Sequence, residues 1–201
     1  PYIYGVGTGT VKWYYENGVL EMESYYIKDE HCSCKVYYES GKLEMECPPC
    51  GVDGKLKGTQ KSYYESGKLK KETPFVSGKK NGTQKEYYEV GQLTSQIPYV
   101  YDSISGTRKG YYESGILKYE MSYLNGKKQG LAKWYYENGK ISNEENYLNG
   151  KLNGVSKKYY DNGKLEWEYA YVNDKLNGTS KEYYEDGKIN REATYSNGKL
   201  S

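Results

Sequence analysis

The chain has 201 residues with a net charge of +2, from 29 basic and 27 acidic side chains, and it carries 28 Tyr, 24 Gly, four Cys and one His. Charges of both signs interleave along it, so it offers no electrostatic footprint for nucleic acid, and no apolar run approaches the roughly 20 residues of a membrane-spanning helix. Abundant amphipathic rings among few pure hydrophobes argue against disorder and for a sheet that tolerates a wet edge.

A Tyr-Tyr-acid-X-Gly stretch occurs eight times, at Tyr14-Tyr15, Tyr37-Tyr38, Tyr63-Tyr64, Tyr87-Tyr88, Tyr111-Tyr112, Tyr135-Tyr136, Tyr159-Tyr160 and Tyr183-Tyr184. Successive copies are 23, 26, 24, 24, 24, 24 and 24 residues apart. A fixed period of this size marks a stacked-repeat architecture. In chain order the repeats run 9–31, 32–57, 58–81, 82–105, 106–129, 130–153, 154–177 and 178–201, one array over 1–201. In the seventh, Gly154–Tyr160 reads as a strand and Asp161-Asn162-Gly163-Lys164 as a turn. Leu165–Val172 alternates like a half-buried strand, and a second turn starts at Asn173. Each repeat is therefore a hairpin. The expected fold is all-β: an elongated, twisted antiparallel meander of about eight 24-residue hairpins and about sixteen strands, in a single curled sheet.

Asn-Gly favours a two-residue hairpin loop, because both residues accept positive φ. With Asn138-Gly139 as that loop, the second tyrosine faces an aliphatic residue in all eight copies, from Tyr15–Leu20 to Tyr136–Ile141 and Tyr184–Ile189. These pairs would sit at non-hydrogen-bonded sites, where side chains are closest. The first tyrosine then meets a polar residue on the other face. That leaves one apolar face, with Trp13, Trp134 and Trp167, and one face bearing Tyr63, Tyr87, Tyr111, Tyr135, Tyr159 and Tyr183 as candidate partner-binding residues, since tyrosine offers large contact area at low entropy cost.

Two places break the pattern. Tyr101–Thr107 lacks the usual Asn-Gly-Lys turn. Between the second and third copies, Cys47-Pro48-Pro49-Cys50 adds two residues. The same register puts Cys34 opposite Cys47, with Cys32 two residues outward. Cys32, Cys34, Cys47 and Cys50 thus support either a structural zinc site or two disulfides, Cys34–Cys47 with Cys32–Cys50; an oxidising compartment favours the second, a reducing one the first.

These hairpins, with Tyr-Tyr-Glu-Asn-Gly-Lys-Leu followed by a Tyr-Val-Asn-Gly-Lys-Lys-Asn-Gly type turn, resemble the bacterial variant of the MORN (membrane occupation and recognition nexus) repeat from about Gly9 to Lys199. The resemblance implies an elongated antiparallel sheet acting as a scaffold or interaction module, with export or a surface location favoured over the cytoplasm and no catalytic residues. The family name suggests lipid, but no basic stripe that reads anionic lipid stands out in the sequence.

No enzyme is expected. A single histidine, His31, cannot assemble a histidine-based acid–base pair or triad, the acidic ladder Glu16–Glu185 beside the turns reads as solvated ion pairs, and the glycines are spaced for turns and not for a phosphate loop. No cofactor is required beyond the zinc alternative. The expected partner is a protein. Carbohydrate or cell-wall binding is the alternative, on the Trp-Tyr-Tyr-Glu-Asn-Gly stretches at 13–18 and 134–139. End-to-end or edge-strand self-association fits a meander, and ends that read as trimmed fit a targeting module within a longer protein.

Overall fold

The computed structural model describes residues 7–28, 30–51 and 53–201; Pro1 lies outside them. The chain forms two compact units, residues 1–103 and 104–201. Among the described residues there are 22 strands and no helix, and all strand pairs are antiparallel. The sixteen expected strands are all present. Six more arise because the second turn of most repeats ends in a two-residue strand, such as Lys151–Leu152 or Lys175–Leu176.

Residues 130–153 show how a repeat is built. The strand Gly130–Tyr135 runs into the turn and returns as Ile141–Leu148. In the turn, Tyr136 N–H donates to the Lys140 carbonyl at 2.8 Å, and Gly139 N–H donates to the Tyr136 carbonyl at 2.9 Å. Gly139 has φ 81° and Asn138 is not left-handed. This is a three-residue loop, a turn followed by a glycine in the left-handed region, and not the expected two-residue one. The Asn138 carboxamide oxygen completes it by accepting the Lys140 N–H at 3.0 Å.

The loop type corrects the tyrosine register. Tyr135, not Tyr136, lies opposite Ile141, and a bulge follows between Trp134 and Tyr135. Ser142 is the extra residue, and it restores the expected pairing for the rest of the hairpin: Trp134 with Asn143, Ala132 with Glu145, Gly130 with Tyr147. The same shift recurs in all eight hairpins; Tyr14 pairs with Leu20 and Tyr183 with Ile189. The body of each hairpin thus keeps the expected register, while the two tyrosines exchange neighbours.

The two-residue loop is found at the other end of the repeat. Leu148 pairs with Lys151 across Asn149 (φ 53°) and Gly150 (φ 88°), both left-handed as a type I′ turn demands. Tyr101 and Asp102 take the same conformation, with φ 47° and 71°, so the sequence break there leaves the backbone unchanged. These turns bind one repeat to the next: Gly150 N–H donates to the Lys128 carbonyl at 2.8 Å and Asp174 N–H to the Leu152 carbonyl at 3.0 Å. Beyond the short strand, Gly154 turns the chain back with φ 112°, and a Cβ there would lie 3.1 Å from Asn146 Cβ. A side chain at that point would be strained by both conformation and contact.

The packed face carries Trp134, as expected, together with Met121 and Ala132, but its most buried row is largely small and polar. Ser24, Thr73, Gln84, Ser95, Ser156 and Ser180 are buried there beside Cys32, Cys34, Ile97, Met121 and Ala132. The three tryptophans are only half-buried. A sheet without a covering layer buries side chains only against their neighbours in the same face. Residues in the middle of the strands gain most from that, and small ones fit best.

Candidate interaction face

The first tyrosine of each copy points to the face opposite the tryptophans, where it was expected, but from the second copy onward its hydroxyl is occupied. Tyr37, Tyr63, Tyr87, Tyr135, Tyr159 and Tyr183 donate to Glu23, Glu46, Glu72, Glu120, Glu144 and Glu168, each on the strand before, at 2.7–3.3 Å. Tyr111 is partnered as well. Burial, and then the donated hydrogen bond, push Tyr63, Tyr87, Tyr135 and Tyr159 up to about 12. The proton therefore stays on the phenol and the negative charge on the glutamate.

The second tyrosine reaches forward. Tyr15, Tyr38, Tyr64, Tyr112, Tyr136 and Tyr160 donate to the backbone carbonyl of the first tyrosine in the following copy, at 2.5–2.7 Å. Lys70 and Lys118, the extra residues of their bulges, sit over the rings of Tyr64 and Tyr112, with Nζ 5.4 and 5.2 Å from the centroids. Thus one tyrosine ties a repeat to its predecessor and the other to its successor. Among the described residues no strand precedes that of Tyr14 and no further Tyr-Tyr copy follows Tyr184, and these two are 58 and 55% exposed.

With the tyrosines engaged, the exposed apolar atoms of this face lie elsewhere. Leu124, Leu148 and Val172, the last residues of their strands, are 58, 45 and 45% exposed, and Leu131 and Val155 on the intervening strands are 42 and 43% exposed. Register places all five on the face of Tyr135 and Tyr159. The sequence signal was available: the eighth residue of the second strand is Ile27, Val76, Val100, Leu124, Leu148 or Val172 in six of the repeats. Deeper on that face the charges are matched. Lys133 pairs with Glu144, and Lys85 with Glu72 at 3.1 Å.

The four cysteines come together in the second copy. Cys32 is bonded to Cys50 and Cys34 to Cys47, with Cα atoms 4.9 and 5.0 Å apart, and Cys32 and Cys34 are buried. Cys47 N–H donates to the Cys34 carbonyl at 2.8 Å, so the pair occupies a hydrogen-bonded site and not the expected non-hydrogen-bonded one; the bulge beside the turn switches the ladder's phase. Both disulfides use the sulfurs that the zinc alternative needs as thiolates. Among the described residues no group of three His, Cys, Asp or Glu side chains is placed to hold a metal ion. His31 is exposed, its Nε2 3.3 Å from Ser24 Oγ, and its ring meets Tyr26 edge-on.

The family model described as the MORN repeat variant matches residues 8–28, 33–48, 54–77, 80–101, 104–125, 128–149, 152–173 and 176–197. The chain belongs to the MORN repeat variant family. Each match frames one Tyr-Tyr turn, and in the regular repeats it ends on the first residue of the type I′ turn, so MORN units and hairpins coincide. MORN repeats are in general protein- or membrane-interaction modules and a non-enzymatic repeat type. No match is found among curated proteins. No helix among the described residues is long and apolar enough to cross a membrane.

Proposed function

We propose that this MORN chain is a non-enzymatic scaffold that holds a protein partner on its tyrosine-bearing face, in an oxidising compartment outside the cytoplasm or on a cell surface. The observation that carries the reading is the exposed row Leu124, Leu148 and Val172 on a face whose tyrosine hydroxyls and inner charges are already matched. Regularly placed aliphatic surface beside satisfied polar groups is what an interface core needs, because burying it gains contact area without desolvating unpaired polar atoms. The disulfides Cys32–Cys50 and Cys34–Cys47 support the compartment, since such bonds persist where thiols are not kept reduced.

The test is affinity capture with the intact chain and with the triple variant Leu124→Ser, Leu148→Ser, Val172→Ser, followed by reconstitution with the purified captured protein. The variant should keep its thermal midpoint and lose the partner; undiminished binding would overturn the reading. For the compartment, thiol labelling of protein taken directly from cells should leave all four cysteines unlabelled, and labelled thiols would remove the export part.

A further inference from the structure

Each exposed aliphatic residue at the type I′ turns of the second unit has a lysine directly opposite it on the next short strand: Leu124 faces Lys127, Leu148 faces Lys151 and Val172 faces Lys175. Lys199 continues the row opposite Ser196. All four lysines are exposed, and none makes an ion pair among the described residues. The one acid in these turns, Asp174, spends its carboxylate on the Leu152 N–H at 2.7 Å. Along the chain these lysines are scattered among acids. The fold collects them into a line of unopposed positive charge that the sequence did not display.

The spacing of the line restricts what can lie along it. Successive lysines are two strand spacings apart, about 9.4–9.8 Å. A polyproline II helix turns once every three residues with a rise of about 9.3 Å, so every third side chain points the same way at nearly this interval. An α-helix repeats a face after seven residues, about 10.5 Å, and drifts out of step by roughly 3 Å over three repeats. A β-strand turns every third side chain to the opposite side. A bilayer surface would call for breadth, whereas this row is one lysine wide, the row inside it is uncharged, with Asn146 opposite Leu131 and Ala170 opposite Val155, and the next charged row is matched, Glu144 lying opposite Lys157 and Glu168 opposite Lys181.

We propose that the row of Lys127, Lys151 and Lys175, with Leu124, Leu148 and Val172 beside it, binds an extended acidic polyproline II segment of a partner protein that carries a carboxylate at every third residue. The proposal rests on the interaction reading above and names the chemistry of its ligand. Each carboxylate meets one lysine, and the proline or aliphatic side chains between them cover the exposed leucine and valine surface.

The test uses the full chain and a labelled peptide of four Glu-Pro-Leu triplets, followed by fluorescence polarisation at low salt. A peptide of the same composition with its glutamates grouped at one end is the spacing control, and phosphatidylcholine vesicles with and without phosphatidylglycerol form the membrane arm. The triplet peptide should bind about tenfold tighter than the grouped one, and Lys127→Gln, Lys151→Gln, Lys175→Gln together should weaken it about tenfold or more at an unchanged thermal midpoint. Equal binding of the two peptides, or no effect of the lysine changes, would overturn the proposal. So would sedimentation with the anionic vesicles that the triplet peptide does not displace. If the partner is lost from the Leu124, Leu148 and Val172 variant while the peptide ignores the lysines, only this inference fails; if capture is also undiminished there, the interaction reading fails with it.

Discussion

Most tyrosine hydroxyls of the Tyr-Tyr motifs carry one hydrogen bond to another repeat, and replacing such a tyrosine by Phe isolates that bond. Tyr112→Phe removes a donor from the Tyr135 carbonyl and Tyr135→Phe one from Glu120. Each should cost about 1 kcal/mol in urea unfolding, the usual net value of such a bond. Tyr14→Phe, at an exposed ring with no such partner described, should cost nothing measurable. The same bonds set a pH dependence. Tyr63, Tyr87, Tyr135, Tyr159 and Tyr169 titrate at about 12, against 10.0 for an unperturbed phenol, through burial first and then donation to glutamate. A folded value above the unfolded one contributes stability that is complete below pH 10 and is lost as pH rises through 12. Absorbance titration of tyrosinate should therefore show a late class of tyrosines, and the thermal midpoint should hold to about pH 10 and then fall. A single tyrosine class near 10 in the folded protein would contradict the hydrogen-bond assignment.

At the scale of the hairpin, two loop types divide the work. The three-residue loop beside the tyrosines, with its bulge, sends the first tyrosine back toward Glu120 and the second forward to the next strand. The type I′ loop at the other end stacks on the short strand of the preceding repeat. The second copy departs from this pattern: its return strand ends at Glu46, and Gly51–Lys55 replaces the usual loop. The disulfides hold that irregular stretch. In the chain-entropy description a bridge over a sequence separation of 13, as in Cys34–Cys47, contributes about 3 kcal/mol. Reduction under native conditions should lower the thermal midpoint and expose four thiols to alkylation. If all four label without reductant, or if chelator alone exposes them, the bonded assignment is wrong.

At the scale of the molecule, the strands of the described residues pair either within one hairpin or with the adjacent repeat, so stability should be close to a sum of repeat and interface contributions. Deleting residues 154–177 joins Leu152-Asn153 to Gly178, recreating the native Leu176-Asn177-Gly178 junction. The Tyr136 hydroxyl would then meet the Tyr183 carbonyl in place of that of Tyr159. This variant should retain a β circular dichroism spectrum with a lower midpoint, whereas loss of cooperative unfolding would show that the array is more than a sum of neighbours.

The period, the hairpins, the register of each hairpin body, the facing of Cys34 and Cys47 and the family were legible in the sequence. All of these follow from local rules: alternation along a strand, turn residues between strands, and residues at equal distance from a turn lying opposite each other. The roles of the tyrosines were not legible, because the loop next to them takes one residue more than Asn-Gly suggests, and because their hydroxyl partners lie 14–25 residues away in another repeat. Nor was the lysine row, since Lys127, Lys151 and Lys175 become neighbours only when successive hairpins stand side by side. Local chemistry therefore determined the repeat itself. Only stacking decided which of its side chains are spent on the neighbour and which are left to meet a partner.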